Sequence, residues 1–170
     1  MCFNMGDIKD LDLTGEITKK SGAPLGDAHE LFVRAIMMRL GFEVGKVDLS
    51  SGPYDLILAA HTKPGGDKLF LRVQIKTISG TSLTLGGGSR GGVDREYKSG
   101  VKTYKYSEEH NELIFGVDKE NFDIYVLPTR FGSKFGTSIS KNRIAICKNN
   151  WDILMNWNDD YLKEIEKKLN

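Results

Sequence analysis

Four polar side chains stand where the surrounding sequence asks for burial. Glu30 lies beside Leu31 and Phe32 in an amphipathic run, and Asp55 opens the apolar segment Tyr54–Ala60. Gln74 and Lys76 interrupt KLFLRVQIKT at 68–77. Two apart on a strand, they point to the same side. Two carboxylates, an amide oxygen and a main-chain carbonyl are hard oxygen donors that suit Mg²⁺ or Mn²⁺ better than zinc. A lysine beside such an ion can orient an attacking water and neutralise charge that develops on a phosphate. Each residue also has a plainer reading. Asp55 could be a turn acceptor at a strand start, Gln74 and Lys76 the solvated face of an edge strand, and Glu30 ordinary helix surface. His29 reads better as a helix-start residue than as a ligand, while Thr77 and Ser79 are weaker candidates for phosphate contact.

The elements that must hold these residues follow from periodicity. From Gly26, GDAHELFVRAIMMRLGFEV places Leu31, Phe32, Ala35, Ile36, Met38 (or Met37) and Leu40 at helical spacing, with Gly41 as the stop. After the turn Ser50-Ser51-Gly52-Pro53, residues 54–60 and 68–77 form two strands joined by Lys63-Pro64-Gly65-Gly66-Asp67, a β-hairpin. On the second strand Leu69, Leu71, Val73 and Ile75 share one face and Arg72, Gln74 and Lys76 the other. Asp55 and the Gln74/Lys76 face then converge where the two strands part. Ser82–Leu85 predicts a third strand, ELIFGV (112–117) and FDIYVLP (122–128) a second hairpin, and Thr137–Ile146 an edge strand. A final helix over Trp151–Leu169 is liable to break at Trp157-Asn158-Asp159-Asp160. Residues 1–23 read as a loose lead and 24–170 as one domain. Helix, three strands, loop, two or three strands and helix make an α/β domain with a mixed central sheet flanked by helices.

Charge is unevenly spread. Across 170 residues the formal balance is only +1. Yet residues 86–105 contain Arg90, Arg95, Lys98, Lys102 and Lys105, and residues 134–150 carry Lys134, Lys141, Arg143 and Lys148 with no acid. Such blocks suit a basic face turned to a polyanion. The Gly-rich stretch GGGSRGG at 86–92 fits neither a Walker loop nor a dinucleotide fingerprint, but its open N–H groups could grip a phosphate backbone. Tyr97, Tyr104 and Tyr106 are interleaved with lysines there and suit stacking or core packing. No apolar run is long enough to cross a membrane. The N-terminus does not read as a secretory signal. Cys2 and Cys147 cannot build a disulfide framework or a zinc site, so a cytoplasmic protein with reduced thiols is expected.

Glu30, then Pro53-Tyr54-Asp55, then Gln74-Ile75-Lys76 together resemble the active-site pattern of the PD-(D/E)xK nuclease superfamily in its Q-x-K variant. The supporting context spans roughly residues 24–128, and FDIYVLP is similar to a late strand of the group-I-intron-associated endonuclease branch. Two departures stand out. Tyr54 separates Pro53 from Asp55, and Gln74 replaces the usual acid, which removes one negative charge and points to weaker metal affinity or a single metal. The resemblance implies a restriction-endonuclease-like core and a Mg²⁺-dependent endonuclease, with Mn²⁺ as substitute, that hydrolyses phosphodiesters in double-stranded DNA. Asp55, the Gln74 amide oxygen and the Ile75 carbonyl would hold the metal, Glu30 would act through water, and Lys76 would position the nucleophile. Arg90, Arg95, Lys98, Lys102, Lys141 and Arg143 would contact DNA. Cutting both strands calls for a homodimer or higher even assembly. A junction or RNA nuclease of the same fold, an inactive nucleic-acid-binding module, and a phosphate-binding α/β protein are the alternatives.

Overall fold

The computed structural model describes residues 22–48, 52–61, 68–88 and 103–169. Helix α1 spans Gly22–Arg39. It ends in a Schellman turn: the Gly41 N–H donates to the Met38 carbonyl and the Phe42 N–H to that of Met37, both at 3.0 Å. That closure needs a left-handed residue, and Gly41 adopts φ of 90°. The stop is where the sequence put it, and Phe32, Ile36 and Met37 of the expected face do pack on the core, but the rest of that face turns outward. Val33, Met37 and His29 are fully covered, whereas Leu31, Met38 and Leu40 are exposed. The true stripe runs 29, 33, 37 at i, i+4 spacing. It was hidden because its first member is a histidine.

Five strands form the main sheet in the order β1-β2-β3-β7-β8. β1 (Glu43–Lys46), which the sequence reading did not separate as a strand, pairs antiparallel with β2 (Leu56–His61). β2 and β3 (Lys68–Ile78) make the expected hairpin, with Leu56 opposite Val73. β3 then runs parallel to β7 (Leu113–Asp118), and β7 pairs antiparallel with β8 (Ile124–Pro128). β7 and β8 are buried throughout, as their near-continuous apolar runs require. The parallel connection passes through β4 (Ser82–Thr84), β5 (Gly86–Gly88) and β6 (Thr103–Lys105). β5 pairs with β6 and flanks the cation-rich stretch, much of which (residues 89–102) lies outside the described residues.

The expected edge strand over 137–146 shrinks to β9 (Ser138–Ser140), paired with β4, and Ala145–Cys147 forms a 3-10 turn instead. The C-terminal helix does break, into α2 (Asp152–Met155) and α3 (Asp159–Lys167). Asn158 caps α3, its side chain accepting from the Tyr161 N–H. Helices and small sheets cover opposite faces. Phe115 meets the Trp151 ring edge-on at 6.3 Å on one side. On the other, Gly116 lies next to Lys76 in register, and a Cβ there would come within 2.9 Å of Ile78 and 3.0 Å of Leu83. Only glycine lets β4 pack that closely. No described helix is long and apolar enough to cross a membrane.

Candidate active site

The β2–β3 ladder ends at the Leu56–Val73 pair, and the site is built where it opens. Asp55 keeps one backbone bond across the gap, its N–H donating to the Val73 carbonyl at 2.8 Å. One step further the strands have parted, which would leave the Ile75 N–H short of a partner on that side. The Asp55 carboxylate supplies it, Oδ2 accepting from Ile75 N at 2.7 Å. The same oxygen accepts from Gln74 Nε2 at 2.5 Å, and that amide nitrogen also donates to the Ile75 carbonyl at 3.1 Å. A carboxylate oxygen and a main-chain carbonyl thus converge on one point, held by the end of a side-chain amide.

Gln74 is buried, 5% exposed. It is therefore not part of a solvated edge, because β3 is the middle strand, with β2 on one side and β7 on the other. Lys76 follows on the same face, its Nζ 5.3 Å from the centre of the Tyr106 ring. Burial, with Tyr104 and Asp55 nearby, pushes the Tyr106 hydroxyl far up, so it stays protonated.

Glu30 completes the cluster from α1. Burial raises its pKa, and the negative charges of Asp55 and Asp27 raise it further, while Lys46 and Lys76 pull it down. Asp55 is likewise raised by burial, against the opposing pull of the Ile75 N–H, Lys76 and Gln74. Two carboxylates whose pKa values are both raised, chiefly by burial, next to a lysine are a recurring sign of a site that handles charge. Among the described residues no group of three or more His, Cys, Asp or Glu is placed to hold a metal. Any cation here would depend on neutral oxygens.

Three supports escaped the sequence reading. Asn111 is fully buried; its side chain donates to the Pro53 carbonyl at 3.0 Å and accepts from the Thr129 hydroxyl at 2.5 Å, anchoring the turn before Asp55. As a lone Asn before a strand it looks like any turn residue. His29 is 1% exposed and bonds Thr77 Oγ1 through Nδ1 at 2.8 Å, tying α1 to β3 beside Glu30 and Lys76. Burial lowers its pKa and keeps it neutral. Thr77 is therefore engaged with α1. Phe122, at φ 56°, sets its ring edge-on to His29 and Phe32. Arg34 and Lys46 share a pocket with Glu30.

The expected DNA contacts divide. Arg90, Arg95, Lys98 and Lys102 lie outside the described residues. Lys141 is ion-paired with buried Asp118 at 2.7 Å, and Arg143 sits 5.3 Å over the Phe135 ring. Lys134 and Lys148 pair with Glu166 and Asp123. The acid-free stretch is acid-free only in sequence.

The fold is a mixed α/β sheet flanked by helices. Among solved structures the chain is similar to "a bacterial homing endonuclease: I-Ssp6803I", with a TM-score of 0.63 and 17% identity. The match covers 81% of this chain and 95% of that one. No family model matches, and no curated protein sequence does either.

Proposed function

We propose that this protein is a metal-dependent endonuclease that hydrolyses phosphodiester bonds in double-stranded DNA, of the PD-(D/E)xK type with glutamine in the central position. The observation that carries this reading is the convergence of Asp55 Oδ2, the Ile75 carbonyl and the Gln74 amide at the open end of the β2–β3 ladder, with Lys76 next on the same face. The shared fold with a homing endonuclease supports it.

The donor set fits a hard divalent cation such as Mg²⁺. The two ends of a carboxamide have nearly the same shape, so a half-turn of the Gln74 amide exchanges the NH₂ for Oε1 at the point where the other two oxygens meet. Asp55, Gln74 and Ile75 would then hold the ion, with Glu30 acting through water. When bound, the ion supplies positive charge for the phosphate oxygens and lowers the pKa of water. The protein's own residues do the rest. Asn111 and the Ile75 N–H fix Asp55, and the His29–Thr77 bond fixes α1 against β3, so that Glu30 and Lys76 meet across the site. Lys76 positions the attacking water in line with the scissile bond and offsets the charge gathering on the phosphate. A double-strand break needs two such centres, which a homodimer or larger even assembly provides.

The test is incubation with supercoiled plasmid in Mg²⁺, Mn²⁺ or EDTA, beside Lys76→Ala. Open-circular and linear products should appear only with the divalent ion and only with the unaltered protein. Equal cutting by Lys76→Ala would sink the assignment.

A further inference from the structure

Beside the candidate centre lies a second polar concavity. Asp27, Glu30, Leu31 and Arg34 recur at i, i+3, i+4 and i+7, so they share one face of α1. With Lys46 at the end of β1 they line a pocket of about 200 Å³. Glu30 lines this pocket and also feels the charge of Asp55, so the pocket adjoins the carboxylate pair. Lys46 is opposite Leu56 in the ladder, and the next residue, Val47, donates its N–H to the Asp55 carbonyl at 2.9 Å. The β1 end is thereby tied to the same turn that presents Asp55.

We propose that Arg34 and Lys46 form a phosphate subsite that grips the DNA backbone next to the scissile bond; this rests on the nuclease reading above. Arg34 is the better-placed donor. Its Nε is covered and has no hydrogen-bond partner among the described residues, while its charge is felt at Lys46 and Asp48. With a donor still unused, the guanidinium has bonding capacity left for an anion, and a planar fork suits two phosphate oxygens. Lys46 is paired with Asp48 at 2.7 Å, on an exposed strand end where a phosphate can replace the carboxylate. Lys134, Lys141 and Lys148 are paired too, but with acids far more covered than the exposed Asp48. Lys46 lies on β1 and Lys76 on β3, with β2 and the Asp55 turn between them, so the backbone would run from one to the other past Asp55.

The experiment measures duplex DNA affinity against salt in EDTA for the unaltered protein, Arg34→Ala, Lys46→Gln, the double variant and Asp48→Asn, with plasmid cleavage in Mg²⁺ alongside. Each lost phosphate contact should lower the log–log salt slope by about 0.9. The double variant should then lose about 12-fold less affinity than the unaltered protein between roughly 50 and 200 mM salt. Asp48→Asn should bind more tightly, because it releases Lys46. Arg34→Lys keeps the charge and should keep the slope, and Lys46→Gln carries the test alone if Arg34→Ala misfolds. Cleavage with unchanged slopes overturns the subsite and leaves the nuclease reading standing. Reduced slopes with no cleavage by the unaltered protein overturn the nuclease reading, and with it the scissile-bond subsite, and leave Arg34 and Lys46 as plain DNA-backbone contacts.

Discussion

Asp55 and Asp118 are both aspartates at strand ends drawn toward the interior, and their electrostatic states are opposite. Asp118 closes β7 and is 2% exposed. Burial alone would raise its pKa, but Lys141 at 2.7 Å and the backbone N–H groups of Glu120 and Asn121 outweigh that and bring it below the ordinary value. Lys141 is itself set in place by its own N–H, which donates to the Thr81 carbonyl at 2.8 Å. Asp55 is bonded only to neutral donors, and burial lifts its pKa above the ordinary value against the weaker pull of the Ile75 N–H, Lys76 and Gln74. The first aspartate is satisfied and structural. The second has its ionised form disfavoured by burial, and on the metal-dependent reading proposed above a divalent cation would relieve that.

The largest effect that separates them is catalytic. Asp55→Asn should reduce Mg²⁺-dependent plasmid cleavage at least about 10³-fold, since it removes the anionic ligand a hard cation most needs. In EDTA the same variant should melt at the same temperature or higher, because it deletes a poorly compensated charge. A large drop in melting temperature would mean that Asp55 is structural like Asp118. Asp118→Asn should behave in the opposite way. Breaking its bond to Lys141 should cost about 2 kcal/mol, or a midpoint about 4–8 °C lower. Its cutting rate should stay within about 3-fold, and a loss of cleavage without a loss of stability would break the comparison.

Gln74→Glu sharpens it further. A third carboxylate beside Asp55 and Glu30 should tighten Mg²⁺ binding in calorimetry and lower the melting temperature in EDTA, so that the ion stabilises the variant more than it does the unaltered protein. Unchanged metal affinity would place Gln74 outside the coordinating set.

The smallest effect is in pH. The pKa of Asp118 is depressed when folded, so its contribution is present above the unfolded value of 3.8 and is lost as pH falls through its folded value. Asp55 is raised when folded, so its penalty is complete above its folded pKa and vanishes below 3.8. In EDTA, the gap between the unaltered protein and Asp55→Asn should close as pH falls toward 3.8. The gap to Asp118→Asn should persist to 3.8 and close only below it. Melting curves across the acid range check both signs.

The sequence by itself determined the parts that depend on local rules. Period-two alternation placed β3, short apolar runs placed β2, β7 and β8, and turn residues bounded them. Gly41 ended α1, and the Trp157–Asp160 segment broke the last helix. The same alternation put Gln74 and Lys76 on one face and Asp55 at the mouth of their hairpin. Tertiary structure decided whatever depends on neighbours distant in the chain. That β3 is the central strand, and so that Gln74 is buried, follows from its parallel pairing with β7, which no local pattern encodes. That His29, Val33 and Met37 form the inner face of α1 depends on Thr77 being there to satisfy a buried imidazole. Whether a cation is free or spent was equally invisible. Lys141 is committed to Asp118, while Arg34 and Lys46 are brought beside Glu30. A side chain's charge is written in the sequence, but its partner is chosen by the fold, because electrostatic and hydrogen-bond energies depend on distance in space and not along the chain.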